Sequence, residues 1–158
     1  MRELILLRHA HADPALPGQA DLDRPLSAVG LAEAEAAGRW LALHRLAPDR
    51  VLCSPARRTR ETLETVLGAL GYADQRLEPS IYEATPGALF ELVEQHRDAE
   101  RLLLVGHNPG LERSVALLAS GQSGDYRGMP PAGIAVLRLP LEAAFEPGIA
   151  ELTAFWWP

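Results

Sequence analysis

Arg8, His9, His11 and Asp13 stand together in the stretch ELILLRHAHADP, directly behind a run of apolar residues. Two chemistries fit those residue types. HxHxD is how one large group of metal hydrolases begins its site, and a zinc site needs three or four convergent ligands. That pattern expects another histidine after the aspartate, where this chain has Pro14. The remaining candidates are His44, His96 and His107, and the first two fall near predicted helix C-termini, where histidine caps carbonyls. No metal site is expected. The other chemistry is attack on phosphorus: a neutral imidazole such as His9 displaces in line and becomes a covalent phosphohistidine, which water then hydrolyses. The transferring group carries negative charge on its equatorial oxygens, so such a site needs fixed positive donors. Arginine forks suit the task because they bind two oxygens at once.

Cys53 invites a comparison with the cysteine phosphatases, whose loop places an arginine six residues after the cysteine. Here that position is Thr59, and the arginines are Arg57, Arg58 and Arg60. The spacing fails, and Cys53 reads as a small buried strand residue.

The elements that must position these groups follow from periodicity. Leu4 to Leu7, Val51 to Cys53 and Leu102 to Val105 are short apolar runs, suited to strands buried on both faces of a largely parallel sheet. Helical spacing joins Leu31, Ala34, Gly38 and Leu41; Leu63, Val66, Leu67 and Leu70; Leu89, Leu92 and Val93; and Leu111, Val115 and Leu118. Two further strands, Ile134 to Leu139 and Ile149 to Phe155, have no clear helix between them and predict an antiparallel edge. Ser120 to Gly133, rich in Gly, Ser and Pro, predicts a long loop. The alternation calls for an α/β three-layer sandwich with a mostly parallel central sheet, in one domain spanning residues 1–158. In such a sheet ligands bind beyond the carboxyl ends of the strands. Arg8 and His9, Ser54 to Arg58, and Gly106 to Pro109 each follow a strand, so three strand ends bring polar residues to one edge. Helices opening at Ala56 and Pro109 would add backbone donors for an anion.

Composition narrows the alternatives. The chain has 158 residues with 47% hydrophobic and 23% charged content, as in a soluble globular protein. No apolar stretch approaches the roughly 20 residues of a membrane span, and the first residues already read as a strand. The net charge of −6 disfavours a nucleic-acid partner. A single cysteine permits no internal disulfide, which fits a cytoplasmic location. All 15 basic residues are arginine, so no one arginine is by itself a sign of phosphate chemistry.

The motifs LLRHAHAD (Leu6 to Asp13), RPLSAVG (Arg24 to Gly30), VLCSPARRTRET (Val51 to Thr62), IYEA (Ile81 to Ala84), LLLVGHNPGLE (Leu102 to Glu112) and PPAGIAVLRL (Pro130 to Leu139) resemble, in order, the histidine phosphatase superfamily. Within it they are most similar to the small SixA-like branch of phosphohistidine phosphatases, which has the phosphoglycerate mutase-like fold. The resemblance implies that His9 is the nucleophile and that Arg8 grips the phosphate. It implies Arg58 as the second arginine, four residues after Ser54 and four before Thr62, with Arg57 at the rim. It implies His107 as a second pocket histidine acting as a charged donor, and Glu83 at the position of the acid that protonates the leaving group. Phosphate binding falls to Arg8, Arg58 and His107; no cofactor and no metal are implied. Ala10 stands where much of the superfamily has Gly, as is common in this branch. His11 and Asp13 receive no catalytic role. Arg24, with Asp21 and Asp23, predicts a local ion pair, whereas the resemblance implies that the RPLS segment lies beside the pocket; Ser27 predicts a helix N-cap.

Small-molecule members of the superfamily carry insertions that cover the pocket. Here a helix from Gly87 to Gln95 takes up most of the chain between Glu83 and Arg101. The expected substrate is therefore phosphohistidine on a protein, such as a phosphotransfer domain. The alternatives are a general small-molecule phosphomonoesterase using the same pocket and a non-catalytic phosphate-binding module. A monomer is expected, and Trp156 and Trp157 are expected to bury against the sheet.

Overall fold

A computed structural model describes residues 1–122 and 128–158. The chain runs β1 (Glu3–Arg8), α1 (Ala28–Leu43), β2 (Arg50–Cys53), α2 (Arg57–Leu70) and β3 (Asp74–Leu77). It continues through α3 (Pro86–Glu94), β4 (Arg101–Gly106), α4 (Gly110–Ser120), β5 (Ile134–Arg138) and β6 (Glu151–Trp156). Short 3-10 turns occupy Asp21–Asp23 and Pro79–Ile81. The sheet order is β3-β2-β4-β1-β5-β6; the first four strands are parallel, and β5 and β6 run antiparallel to their neighbours.

The continuous apolar runs are strands buried on both faces. Leu4, Leu6, Leu52, Leu102 and Leu104 face one side, where they pack with Leu89 and Leu92 of α3 and Leu111 and Leu118 of α4. Ile5, Leu7, Val51, Leu103 and Val105 face the other, against Ala34 and Leu41 of α1 and Leu63 and Val66 of α2. Alternation of side chains along each strand divides one apolar run between two cores. This is the three-layer α/β sandwich expected from the sequence.

Register decides what happens at the strand ends. Arg8 pairs with Gly106 across β1 and β4, and Cys53 pairs with Val105 across β2 and β4. The residues that follow (His9, Ser54 and His107) therefore leave the sheet along the same edge, on three adjacent strands.

Two departures from expectation have local causes. The strand β3 has no apolar run to announce it: it reads DQRL, lies at the sheet's edge, and leaves Leu77 exposed. An edge strand has a neighbour on one side only and requires little apolar surface. The C-terminal tryptophans divide. Trp156 ends β6 and stacks on Trp40 of α1 at 5.5 Å, whereas Trp157 lies beyond the strand and is 53% exposed. Trp156 is half-buried against the core, so the expectation of burial is met in part for the first ring and corrected for the second. The predicted loop from Ser120 to Gly133 does join α4 to β5, but residues 123–127 lie outside the described residues.

Helix α1 is anchored where the first motif ends. Ser27 is its N-cap and accepts from the Gly30 backbone N–H, while the Ser27 N–H donates to the His11 carbonyl. Gly30 packs so closely that a Cβ there would sit 2.0 Å from the His11 carbonyl oxygen. Gly30→Ala should therefore cost about 3 kcal/mol, because the backbone of either segment must move. Gly68→Ala, in α2 with open space around it, should be neutral or stabilising by up to about 1 kcal/mol. Denaturant unfolding of the two variants checks the contrast.

Candidate active site

His9 leaves β1 with its ring fixed by its own neighbour: Nδ1 lies 2.7 Å from the Ala10 carbonyl. A carbonyl only accepts, so Nδ1 carries the proton and Nε2 is left with a free lone pair. The segment itself is tied to α2, because the Ala10 N–H donates to Thr62 Oγ1 and that hydroxyl donates to the Arg58 carbonyl. Burial, followed by the positive charges of Arg58, Arg8 and Arg24, pushes the His9 pKa down to about 4 against the pull of the Ala10 hydrogen bond. His9 is thus an uncharged ring at neutral pH, as a nucleophile must be.

The ring of His107, which follows β4, lies 5.2 Å from that of His9. Its Nε2 is 2.7 Å from Ser54 Oγ at the end of β2, and its Nδ1 is 3.4 Å from Nη2 of Arg58. Arginine can only donate, so Nδ1 is an acceptor and Nε2–H donates to Ser54. Burial, then His9 and Arg58, lower the His107 pKa to about 3. The His107 ring is therefore neutral at pH 7; the charged donor expected from the sequence concerns the ring with a phosphoryl group beside it.

Both low values have a stability consequence with a definite sign. In the unfolded chain these rings bind protons near pH 6.5, and in the folded protein only near 4 and 3. Between those limits the unfolded state holds more protons, so stability falls as pH drops from 6.5 towards 4 and is unaffected by these rings above 7. NMR titration of the two rings should show neither protonating at pH 6, and the urea midpoint should decline across that window.

Arg58 is the arginine that the family resemblance implies, and it alone of the neighbouring three is buried, at 7% exposure. Arg57 pairs with Glu61 at 3.5 Å on the helix surface, and Arg60 donates to the Pro55 carbonyl. The Arg58 guanidinium donates through Nη1 to the Asp21 carbonyl at 2.8 Å and through Nη2 to Asp21 Oδ2 at 3.1 Å. Tyr82 completes the group: its hydroxyl donates to Asp21 Oδ2, and its ring lies 5.9 Å from the guanidinium carbon.

Arg8 is held differently. Its Nη1 donates to the Met129 carbonyl at 2.8 Å, which also accepts from Asn108 Nδ2 at 2.9 Å. The loop before β5 thus fixes one phosphate-binding candidate and the start of the His107 segment together. Among the described residues Arg8 has no ion pair. Among the described residues four buried arginine Nε atoms lack a hydrogen-bond partner. Those of Arg50 and Arg97 face carboxylates at 3.5 and 2.8 Å, whereas Arg8 Nε and Arg58 Nε face none among the described residues. Two charged donors left unsatisfied beside two neutral imidazoles suit an anion.

A cavity of about 380 Å³ adjoins this cage, lined among others by Asp21, Arg58, Tyr82, His107, Glu83 and Arg113. Glu83 lies on its exposed rim and makes no hydrogen bond or ion pair to the described residues. His11 stands apart from His9: it is exposed, its Nδ1 meets Ser27 Oγ at 2.7 Å, and its N–H donates to Glu33. Among the described residues no three of His, Cys, Asp and Glu are disposed to hold a metal ion. Cys53 is buried in β2, and that burial pushes its thiol up to about 12. Arg24 forms the expected ion pair with Asp21 at 3.0 Å, and its Nε donates to the Asp13 carbonyl. What the sequence did not show is Asp21 as a partner of Arg58, Ser54 as a partner of His107, and Tyr82 at the mouth. Asp21 was visible only as a neighbour of Arg24.

An α/β sandwich with two arginines and two neutral histidines gathered at the carboxyl ends of its parallel strands defines a phosphate-handling enzyme. The chain belongs to the histidine phosphatase superfamily (branch 1), whose family model matches residues 4–103. It is 40% identical to an uncharacterized protein of Mycobacterium tuberculosis strain H37Rv, across 94% of this chain and 98% of that one. It is 30% identical to the phosphohistidine phosphatase SixA of Escherichia coli K12, across 72% of this chain and 73% of that one. The crystal structure of an Agrobacterium tumefaciens protein assigned as a SixA phosphohistidine phosphatase superposes with a TM-score of 0.87 at 31% identity, covering 99% and 98% of the two chains. The fold is therefore phosphoglycerate mutase-like, and the activity class is phosphatase. No helix among the described residues is long and apolar enough to cross a membrane.

Proposed function

We propose that this phosphatase hydrolyses phosphohistidine carried on a protein, through a phosphohistidine formed on its own His9. Nε2 of His9 attacks phosphorus in line, the P–N bond to the substrate imidazole breaks, and that imidazole departs with a proton. Water then attacks the phosphorus on His9, releasing inorganic phosphate and the free ring. Arg8 and Arg58 bind the equatorial oxygens through the Nε edges described above. The negative charge of the arriving phosphoryl group offsets the burial and the positive neighbours that keep His107 neutral, so His107 takes up a proton on Nδ1 and gains a second donor when the group is bound. A substrate imidazole protonated on its distal nitrogen is already a good leaving group, so Glu83 is free to stay on the rim. For an alkyl phosphate it would be the acid, being the carboxyl on the same cavity. The residues named act without a metal, and turnover should survive exhaustive chelation.

The observation that carries the protein substrate is the open rim. Glu83, Thr85 and Arg113 are exposed around the cavity, and α3 takes up most of the chain between Glu83 and β4. A pocket with an exposed rim can receive a phosphoryl group presented on a folded surface, which itself excludes water on docking. Rates on a phosphohistidine-bearing phosphotransfer protein and on sugar phosphates, measured side by side, test this. A preference of at least about a hundredfold in kcat/KM, some 2.7 kcal/mol, is expected for the protein. Preference for the sugars would replace the proposal with the small-molecule phosphomonoesterase.

A further inference from the structure

We infer that Asp21 is a positioning residue of the phosphate pocket, gripping one edge of the Arg58 guanidinium so that the other edge presents its donors to the phosphoryl group. This rests on the proposed role of Arg58. A guanidinium has an end edge, Nη1 with Nη2, and a side edge, Nε with Nη2, and each can serve two acceptors. Asp21 fills the end edge with two different groups, its backbone carbonyl on Nη1 and its carboxylate on Nη2. The side edge is what remains: Nε is buried without a partner among the described residues, and Nη2 lies 3.4 Å from His107 Nδ1. The grip on one edge thus sets the aim of the other.

Asp21 is itself held. Oδ2 accepts from Tyr82 as well as from Arg58, and Oδ1 accepts from Arg24 Nη1 at 3.0 Å. These donors, Tyr82 first and then Arg24 and Arg58, keep the carboxyl well below the usual carboxylate range. Arg24 in turn is fixed to the Asp13 carbonyl, in the segment that follows His9. The Arg24–Asp21 pair is half exposed and contributes little stability as an ion pair. Its value is geometric: it stops the short turn at Asp21–Asp23 from carrying the carboxylate away. Arg58, 7% exposed, would otherwise have a free end edge and could turn towards the cavity. A fork already aimed loses less freedom on binding, and its bonds are ready when charge develops in the transition state. The negative charge close to the phosphate opposes binding, so the two effects have opposite signs and experiment can separate them.

The test uses the full chain and inorganic phosphate as the probe, measuring its affinity by calorimetry and as a competitive inhibitor, with thermal melting as the check on folding. Asp21→Ala keeps the backbone carbonyl but loses the carboxylate. It should weaken phosphate binding about tenfold, a ratio equivalent to one decade in Kd, and lower kcat more than it raises KM. Asp21→Asn retains a side-chain oxygen for Arg58 and should stay within about threefold of the wild type. Tyr82→Phe, which frees the carboxylate to swing, should move in the direction of Asp21→Ala by a smaller factor. A purely structural role would lower the melting temperature of both Asp21 variants without the split between them. Phosphate bound equally or more tightly by Asp21→Ala overturns the inference, since the carboxylate would then be competing with the ligand. A wild-type protein that binds no phosphate overturns the pocket itself, and the inference with it.

Discussion

His9→Ala is expected to abolish the covalent phosphoenzyme and to lower turnover by at least about a thousandfold, the scale on which loss of a nucleophile registers. The cause is specific to one atom. Nδ1 is committed to the Ala10 carbonyl, so Nε2 is the nitrogen with a lone pair directed away from the backbone. Burial and the flanking guanidiniums keep that lone pair unprotonated down to about pH 4. Neither His107 nor His11 is free to take over. His107 has its Nε2 on Ser54 and its Nδ1 beside Arg58, and His11 is occupied by Ser27. The readout is an acid-labile, alkali-stable label on the protein after brief exposure to a phosphohistidine donor, present in the wild type and absent in the variant. Fold should be retained, because among the described residues the ring makes no hydrogen bond beyond its neighbouring residue. A variant that labels as the wild type does would remove His9 from the mechanism.

Arg58→Ala should lower kcat/KM by about a hundred- to a thousandfold, the range seen when one preorganised transition-state donor is lost. Arg58→Lys should recover little of it. An ammonium supplies charge but not two parallel donors, and the chain at this position must reach Asp21 on one side and the phosphoryl group on the other. Melting temperature should change far less than activity, because removing a buried guanidinium also removes its desolvation cost. Asp21 would keep Arg24 and Tyr82 as partners. Arg8→Ala should be equally damaging by another route, since it also releases the Met129 carbonyl that helps to hold Asn108 beside His107. Steady-state kinetics on the phosphohistidine protein, with phosphate inhibition as a second reading, measure both. If Arg58→Lys kept most of the wild-type rate, the fork would be unnecessary and simple charge would suffice.

Much of this was legible before any coordinate. The apolar runs of β1, β2 and β4 announced strands covered on both faces, and helical spacing announced the four helices that cover them. Placement of Arg8, Ser54 and His107 just beyond those runs announced a shared edge. The resemblance to the histidine phosphatases pointed to Arg58 rather than to Arg57 or Arg60, and Ser27 announced its cap. These signals share a cause. Periodicity, capping and turn chemistry are local energetics, recorded within a few residues of the position they describe.

What only the tertiary structure decided lies across longer intervals. Asp21 and Arg58 are 37 positions apart, and Tyr82 reaches Asp21 across 61. From the sequence Asp21 belonged to Arg24, three residues away. The protonation of the two rings was equally hidden, since desolvation depends on how deeply three strands seat them. That burial is the main reason the His107 ring holds a proton less readily than a free imidazole. The edge strand β3 and the exposed Trp157 escaped because a position with one neighbour, or none, leaves no apolar pattern to follow. The order of strands and their register set which distant side chains meet, and neither quantity is written in any one segment of the chain.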